Sequence, residues 1–492
     1  MNQAVATQGV SELRKHFYPA QYPPETGETP TLAIISAYEC LCGIADYTYF
    51  LVQSLSKFAD VTIYELDTEV FQQGGRSSRE DAINQLAVMC DEIKQFDAVN
   101  IQFEPGTLGY NSRVAFKRYQ QIVDAAPAVS VTFHTFLNHV KESRGFWKEL
   151  SHLHLFRAFL GRSHSRSKKF ITGKPVSYLK QAGNEKQASF IVHTQRESKR
   201  LARQYGVRKE CVFDHPLSYL NNEMIADLKP SRMLKSLRLP KDTILLGVFG
   251  FISEYKGTDL AVEMIQELPS NYHLLIAGSI HPAESRSLMA NMHPYLRTIV
   301  DKILAASKQS NDKQDQNTEL DKLVLLVDKL KQNRAGLEGQ SPGSEEIKKT
   351  KKLKLKDRVH FLGSQDRDEF LAIMNECDAA ILPYRDVGQT SSGPISMAVD
   401  LSKRIIASRT SAFCEFSKYH PIRLELFDQN NYLELSQRAM SPQGLEDQQA
   451  THNWSTNVKT YFSAHGFEPV TQEQWDKAES HGVAAHVKKI AA

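Results

Sequence analysis

The chain has 492 residues, of which 41% are hydrophobic and 24% are charged, the balance of an ordinary globular protein. Domains usually contain about 100–200 residues, so this length predicts two or three domains, each with its own hydrophobic core. The 60 lysine and arginine residues against 57 acidic residues give a net charge of +3. That charge is too small to indicate a nucleic-acid-binding protein.

The cysteines and the N-terminal segment indicate a reducing compartment. Only Cys40 and Cys42 lie close together, and their spacing is typical of neither zinc ligands nor a redox pair, so we expect buried or unreactive thiols. Residues 1–28 are polar and contain prolines, unlike a signal peptide. No apolar run approaches the roughly 20 residues that span a bilayer. We therefore expect a cytoplasmic protein that contacts membranes only from their surface.

Short apolar, β-branched runs alternate with helix-like stretches from residue 31 onward. In the first half these runs are 31–37, 60–66, 97–103, 128–134 and 189–194. In the second half they are 243–251, 272–279, 358–363, 379–384 and 404–408. Near-continuous apolar strands separated by helices predict parallel sheets covered on both faces. The two series predict two doubly wound domains joined near 219–241, with ligands at the carboxyl ends of the strands.

Two segments interrupt this alternation. Residues 137–187 are basic, and residues 306–357 contain no aromatic side chain. Within the first segment, 154–180 is basic and amphipathic, which fits a solvated face, an anionic membrane surface or a phosphorylated acceptor. The second segment has helical spacing of its leucines and predicts an inserted helical hairpin or a partly disordered arm.

A strand–loop–helix stretch in the second half predicts an anion site. The strand is expected to end at Pro383, and a helix is expected to begin near Gly393. Free backbone N–H groups at a helix start beside Ser391, Ser392 and Gly393 bind anions, and Arg385 adds positive charge. The alternative is a plain connection with a serine N-cap.

A second strand–loop–helix stretch, 247–266, places Lys256 directly before Gly257 at the expected helix start. There the ammonium group can pair with a diphosphate, whereas the alternative is a solvated lysine at a turn. Two such loops at strand carboxyl ends of one domain favour a phosphate-bearing ligand.

At these residues the chain resembles the retaining glycosyltransferases of GT-B architecture, in the large group that includes many bacterial mannosyl- and glucosyltransferases. PYRD at 383–386, SSG at 391–393 and KRIIAS at 403–408 are similar to consecutive elements of that group. FGFISEYKG at 249–257 resembles its phosphate loop, and CGIADYTYFLVQSL at 42–55 resembles its first glycine loop.

The resemblance covers most of residues 31–463 apart from the two insertions. It implies an α/β GT-B fold of two Rossmann-like, doubly wound domains facing a cleft. We place the N-terminal, acceptor-side domain at 1–225 and the C-terminal, donor-side domain at 226–445. Residues 446–492 then form a helix that returns to the first domain, followed by a tail.

The resemblance also implies roles for individual residues. A donor such as a UDP- or GDP-hexose lies in the C-terminal domain, with its diphosphate against Lys256 and the helix start at Ser391–Gly393. His134 faces the transferred sugar, with a structural core histidine as the alternative, and Gly43 leaves room for the donor phosphate. The further donor-binding candidates are Ser253, Tyr384, Arg385, Ser392 and Glu415. No metal or other cofactor is expected, because the lysine and the helix dipoles stabilise the charge instead.

The implied activity is metal-independent transfer of a hexose, with retention, to an acceptor such as a glycan or a lipid-linked sugar. Phe251 and Ser253 stand where many relatives carry an arginine, and Gln389 and Met397 stand where many carry two glutamates. These departures leave two alternatives open. One is a catalytically degenerate GT-B scaffold or partner protein, and the other is a glycosyltransferase that modifies nucleic acids.

Overall fold

The computed structural model describes residues 29–38, 40, 42–136, 169–280, 293–309, 354–441, 452–478 and 486–488. The chain forms two units. The first comprises 1–223, 388–393 and 451–492, and the second comprises 224–387 and 394–450. Of the predicted insertion 137–187, residues 137–168 lie outside the described residues. Of the predicted insertion 306–357, residues 310–353 lie outside them.

The sheet of the first unit contains seven strands in the order β13-β2-β1-β3-β4-β5-β6. These strands are β1 (Thr31–Ser36), β2 (Asp60–Glu65), β3 (Ala98–Phe103), β4 (Val129–Phe133), β5 (Ala188–Val192), β6 (Val212–Asp214) and β13 (His486–Lys488). All neighbouring strands run parallel. The strand order reverses between β1 and β3, and ligands bind beside the carboxyl ends of the strands at such a switch point.

The sheet of the second unit contains six strands in the order β12-β11-β10-β7-β8-β9. These strands are β7 (Ile244–Phe249), β8 (Tyr272–Ala277), β9 (Val359–Gly363), β10 (Ala379–Leu382), β11 (Ile405–Ser408) and β12 (Glu425–Phe427). They too are parallel, and the order reverses between β7 and β10. The second switch point therefore lies where the loops after β7 and β10 leave the sheet.

Helices connect and cover the strands. In chain order the described α-helices are α1 (Gly43–Leu55), α2 (Thr68–Phe71), α3 (Arg76–Glu92), α4 (Pro105–Leu108), α5 (Ser112–Ala125), α6 (Lys174–Ala182), α7 (Gln195–Tyr205), α8 (Asn222–Ala226), α9 (Arg232–Leu237), α10 (Thr258–Glu267), α11 (Pro294–Gln309), α12 (Arg367–Glu376), α13 (Gly393–Leu401), α14 (Ser411–Phe416), α15 (Tyr432–Met440), α16 (Trp454–His465) and α17 (Gln472–Ala478). Within the described part of the chain, no helix is both long and apolar enough to cross a membrane.

Side-chain caps explain where several of these helices begin and end. The hydroxyl of Thr194 accepts a hydrogen bond from the Glu197 N–H at the start of α7, and Gly206 (φ 61°) ends that helix. Asn453 begins α16 with a reciprocal capping box, and Gly466 (φ 72°) ends it. Such caps satisfy backbone groups that the helix itself leaves unpaired.

The structure confirms the predicted pair of parallel, doubly wound sheets. Each apolar run forms a strand with bounds within two residues of those expected. The two strands that precede the site loops end two residues before the predicted runs do. β7 ends at Phe249, and β10 ends at Leu382. Gly250 (φ 99°) leaves the extended conformation at once, so the apolar residues beyond it belong to a loop.

Candidate functional site

A buried lysine occupies the switch point of the second sheet. After β7 the chain forms a short 3₁₀ helix, Glu254–Lys256, directly before α10. Lys256 is 6% exposed, its ammonium group donates to the Tyr384 hydroxyl, and it lies 4.1 Å from the Tyr384 ring centroid. Burial lowers the pKa of Lys256 from 10.5 to about 7. Among the described residues no carboxylate pairs with this lysine, so an anionic ligand can supply the partner that favours its protonated form.

The loops after β7 and β10 touch through their backbones. Gly257 has φ 65°, and a Cβ atom there would lie 1.9 Å from the Pro383 carbonyl oxygen, so only glycine fits. The backbone N–H of Arg385 donates to the Tyr255 carbonyl at 2.7 Å. These contacts hold Tyr384 against Lys256.

The Arg385 side chain is engaged within the second unit. Its guanidinium lies 2.8 Å from an Asp259 carboxylate oxygen and also donates to the Glu254 carbonyl. The hydrogen bond and charge of Asp259 raise the pKa of Arg385 above its ordinary value. Arg385 therefore fastens the loop after β10 to α10, and Asp259 balances its charge.

Two further predicted site residues of the second unit, Ser253 and Glu415, each have a buried polar atom to which no described residue makes a hydrogen bond. The Ser253 hydroxyl is buried and has no hydrogen-bond partner among the described residues. One carboxylate oxygen of Glu415 lies 2.5 Å from the Lys418 ammonium, while the other is buried and has no hydrogen-bond partner in the described part of the chain. Phe413, on the same helix as Glu415, packs 4.9 Å from Tyr384. Unsatisfied buried polar atoms are rare in folded proteins, and a ligand is one explanation for them.

The loop after β1 lies at the switch point of the first sheet. Gly43 begins α1 and is exposed, and a Cβ atom added there would meet nothing within 4 Å. The Cys42 sulfur caps the helix by accepting from the Ala45 N–H at 3.4 Å. A hydrogen bond from the Cys40 thiol and those from backbone N–H groups lower the pKa of Cys42 to about 7. Cys42 is thus a partly exposed thiol with thiolate character, which differs from the unreactive thiol expected.

His134 directly follows β4 in the first unit. Its Nε2 atom lies 2.7 Å from Gln102 Oε1, and its ring lies 5.4 Å from that of Tyr47 and 5.1 Å from that of His193. Burial and the neighbouring His193 lower the pKa of His134 well below its ordinary value of 6.5. The imidazole is therefore neutral near pH 7.

The loop that contains the predicted helix-start site belongs to the first unit. Residues 388–393 group with that unit, and the Thr390 hydroxyl donates to the His134 carbonyl at 3.0 Å. The Gln389 amide donates to the Ser391 carbonyl, and Ser392 is buried. The structure thus brings Ser391–Gly393 close to His134 within one unit. The resemblance implies that this helix start lies in the donor-side domain, and α13 itself belongs to the second unit from Pro394 onward.

Four buried polar residues beneath His134 escaped the sequence analysis. They are fully buried on β3 and β4: Asn100, Gln102, Ser130 and Thr132. The signal was present, because the polar residues of each strand stand two positions apart and so share one face of the sheet. The sequence prediction of near-continuous apolar strands overlooks this polar face.

No protein-family model and no curated protein matches the chain. Solved structures do match it. A glycosyltransferase from Rickettsia africae is 11% identical, with a TM-score of 0.50 over 92% of this chain and 99% of the other. HepE from Anabaena, in complex with UDP and glucose, is 13% identical, with a TM-score of 0.48 over 91% and 99%. With its two parallel sheets, the chain shares the GT-B fold of two Rossmann-like units.

Proposed function

We propose that the chain is a glycosyltransferase that takes its sugar from a nucleotide-diphosphate donor. The observation that carries the proposal is Lys256, a buried lysine at the switch point of the second sheet that pairs with no carboxylate of the described residues. Doubly wound sheets bind ligands at this place, and a diphosphate supplies the missing negative charge. The GT-B fold shared with the glycosyltransferase from Rickettsia africae agrees with this assignment.

In the proposed reaction Lys256 stabilises the leaving group. When the bond between the sugar and the diphosphate breaks, negative charge develops on the diphosphate, and a fully protonated Lys256 offsets it. The backbone N–H groups at the start of α13, beside Ser391, Ser392 and Gly393, add a second positive dipole. We propose that these groups take the role of a metal ion, so that transfer is metal-independent. Retention of the anomeric configuration is a separate part of the proposal and rests on the resemblance to retaining glycosyltransferases.

We assign the remaining candidates by their contacts. The Ser253 hydroxyl and the second carboxylate oxygen of Glu415, neither of which has a partner among the described residues, bind the nucleotide, the latter through ribose hydroxyls. Tyr384 orients the lysine, and Arg385 holds the loop that carries Tyr384. Gly43 leaves space for the donor. His134 contacts the transferred hexose.

The acceptor and the location are also part of the proposal. We propose a cytoplasmic enzyme that transfers its hexose to a glycan or a lipid-linked sugar. A peripheral membrane contact through 154–180 would bring it to a lipid-linked acceptor. Of that segment, 154–168 lies outside the described residues.

A catalytically degenerate GT-B protein is the second candidate. It is favoured by the departures at Phe251, Gln389 and Met397 and by the pairing of Arg385 with Asp259, which balances the positive charge of the arginine. Such a protein would bind the nucleotide sugar without turning it over.

Thermal unfolding with UDP, GDP and ADP, each alone and as a sugar conjugate, tests the proposal. A ligand at 100 times its Kd stabilises the folded chain by about 2.7 kcal/mol. We expect one nucleotide to stabilise the wild type and the exposed-site control Lys241→Met, but not Lys256→Met. If none of the ligands stabilises the wild type, the proposal is refuted. Binding without donor hydrolysis or transfer would favour the degenerate scaffold.

A further inference from the structure

A layer of buried polar side chains lies on the face of the first sheet that α16 covers. Asn100, Gln102 and Thr132 belong to it, and Tyr461 of α16 closes it, with its hydroxyl 2.9 Å from Thr132 Oγ1. None of these four residues exposes any of its surface. Burial of polar groups lowers stability unless they are hydrogen-bonded, so the layer must contain a consistent set of donors and acceptors.

The hydrogen bonds of Gln102 determine which atom of its amide faces His134. The amide nitrogen donates to Asn100 Oδ1 at 2.6 Å and to the Tyr461 hydroxyl at 3.2 Å. An amide nitrogen only donates, so the remaining atom, Oε1, must accept. Nε2 of His134 lies 2.7 Å from Oε1 and must therefore carry the ring proton.

The same bond leaves Nδ1 of His134 as an acceptor. The imidazole is neutral, so only one of its two nitrogens is protonated. With the proton on Nε2, Nδ1 presents a lone pair. This atom has no hydrogen-bond partner among the described residues, and it lies in a residue that follows the carboxyl end of β4.

We propose that Gln102 is a positioning residue that holds His134 in the Nε2-protonated tautomer, so that Nδ1 accepts a hydrogen bond from a hydroxyl of the transferred sugar. The sugar contact rests on the glycosyltransferase function proposed above. A hydroxyl can donate to this lone pair, whereas a carboxylate cannot. The hydroxyl in this proposal is the one at C6, the only position at which a hexose differs from its hexuronic acid. The site therefore selects neutral hexoses over hexuronic acids by about tenfold in kcat/KM, the equivalent of one hydrogen bond.

Nitrogen NMR of the ligand-free chain with ¹⁵N-labelled histidine rings tests the tautomer without any need for activity. The His134 signals are assigned by their loss in His134→Gln. We expect a protonated Nε2 and an unprotonated Nδ1 in the wild type. A protonated Nδ1, which requires the opposite orientation of the Asn100 and Gln102 amides, would overturn the proposal.

Two variants separate positioning from general packing. Gln102→Leu removes the acceptor, so we expect the two tautomers to mix. Ser130→Ala perturbs the same layer but leaves the contacts of Gln102 in place, so it should retain the wild-type tautomer. An unchanged tautomer in Gln102→Leu would show that Gln102 does not set it.

Turnover of UDP-glucose against UDP-glucuronic acid, and of GDP-mannose against GDP-mannuronic acid, tests the sugar contact. Gln102→Glu should hold His134 as an imidazolium that donates from Nδ1, and the preference for the neutral sugar should fall about tenfold. An unchanged preference, with the imidazolium confirmed by NMR, would overturn the sugar contact. An inactive wild type with the expected tautomer would refute the glycosyltransferase function and the sugar contact that depends on it, but not the role of Gln102.

Discussion

The ammonium group of Lys256 lies 4.1 Å from the ring centroid of Tyr384, and the two residues sit on the loops that follow β7 and β10. The aromatic face and the tyrosine hydroxyl replace only part of the water that the ammonium loses. The pKa of Lys256 therefore falls to about 7, and the lysine is only partly protonated near neutral pH. An incoming diphosphate restores the full charge.

Nucleotide binding should take up protons. At a pH above 7 most Lys256 side chains in the free chain are neutral, and a bound diphosphate raises their pKa. We expect an uptake approaching one proton for each UDP or GDP bound, measured by calorimetry in buffers of different ionisation enthalpy. The Lys256→Met variant should bind the nucleotide more weakly and take up fewer protons for each nucleotide bound. An equal uptake in both proteins would assign the proton to another group.

The same lysine should make stability depend on pH. Its pKa is about 7 in the folded chain and 10.5 in its ordinary state, so between these values the unfolded chain binds more protons. Raising the pH through this window should therefore stabilise the wild type relative to Lys256→Met. The cost of burying the protonated lysine lowers the stability of the wild type fully below pH 7 and no longer above pH 10.5. Urea denaturation of both proteins across the window measures the difference. A pH-independent difference would contradict the lowered pKa.

The fold was largely predictable because each central strand of a parallel sheet is a continuous apolar run. The strands β6, β12 and β13 escaped prediction because each has only three residues, too few for a periodic signal. The position of Lys256 followed from the strand–loop–helix pattern. Its burial did not, because that depends on Tyr384, which lies 128 positions further along the chain.

The polar layer beneath His134 could be predicted only in part from the sequence. The spacing of Asn100 and Gln102 indicates a polar face on β3. Their partner Tyr461 lies 359 positions from Gln102, and no local pattern connects residues so far apart. The pairing of Arg385 with Asp259 escaped for the same reason.

Replacing His134 should separate sugar transfer from nucleotide binding. We expect His134→Ala to lower turnover by about two orders of magnitude or more, because the sugar loses the contact that orients its anomeric carbon. The affinity for UDP or GDP should change little. The check is a paired measurement of turnover and nucleotide affinity. Near-normal turnover would show that His134 is a structural histidine.

Cys42 should be the first thiol of the described residues to react with iodoacetamide. Its pKa is lowered to about 7, whereas burial raises the pKa of Cys90 to about 11 and that of Cys377 well above the ordinary range. The thiolate is the reactive form, so the rate at Cys42 should rise as the pH passes through about 7. Mass spectrometry after limited alkylation identifies the modified residue. Earlier modification of Cys90 would contradict this assignment.

Arg358 should be essential for the stability of the second unit. The side chain is 5% exposed, and its guanidinium donates to the carbonyls of Ile265, Leu268 and Pro269 at 2.5–2.9 Å. The carbonyls of Ile265 and Leu268 lie at the end of α10, where no helical N–H remains to pair with them, whereas the Pro269 carbonyl also accepts from the Tyr272 N–H at 3.1 Å. Burial also lowers the pKa of Arg358, and in the described part of the chain carbonyl dipoles rather than a carboxylate hold its charge.

Arg358→Met keeps much of the side-chain volume but removes every donor. The buried carbonyls of Ile265 and Leu268 then lose their partner, and each such loss costs about 1–3 kcal/mol, so we expect a loss of at least about 2 kcal/mol in the free energy of unfolding. Arg297→Met, at an exposed position of α11, should change stability by less than about 0.5 kcal/mol. Urea denaturation compares the two variants. A loss at position 358 no larger than that at 297 would show that water replaces the guanidinium, and that α10 needs no side-chain cap at this end.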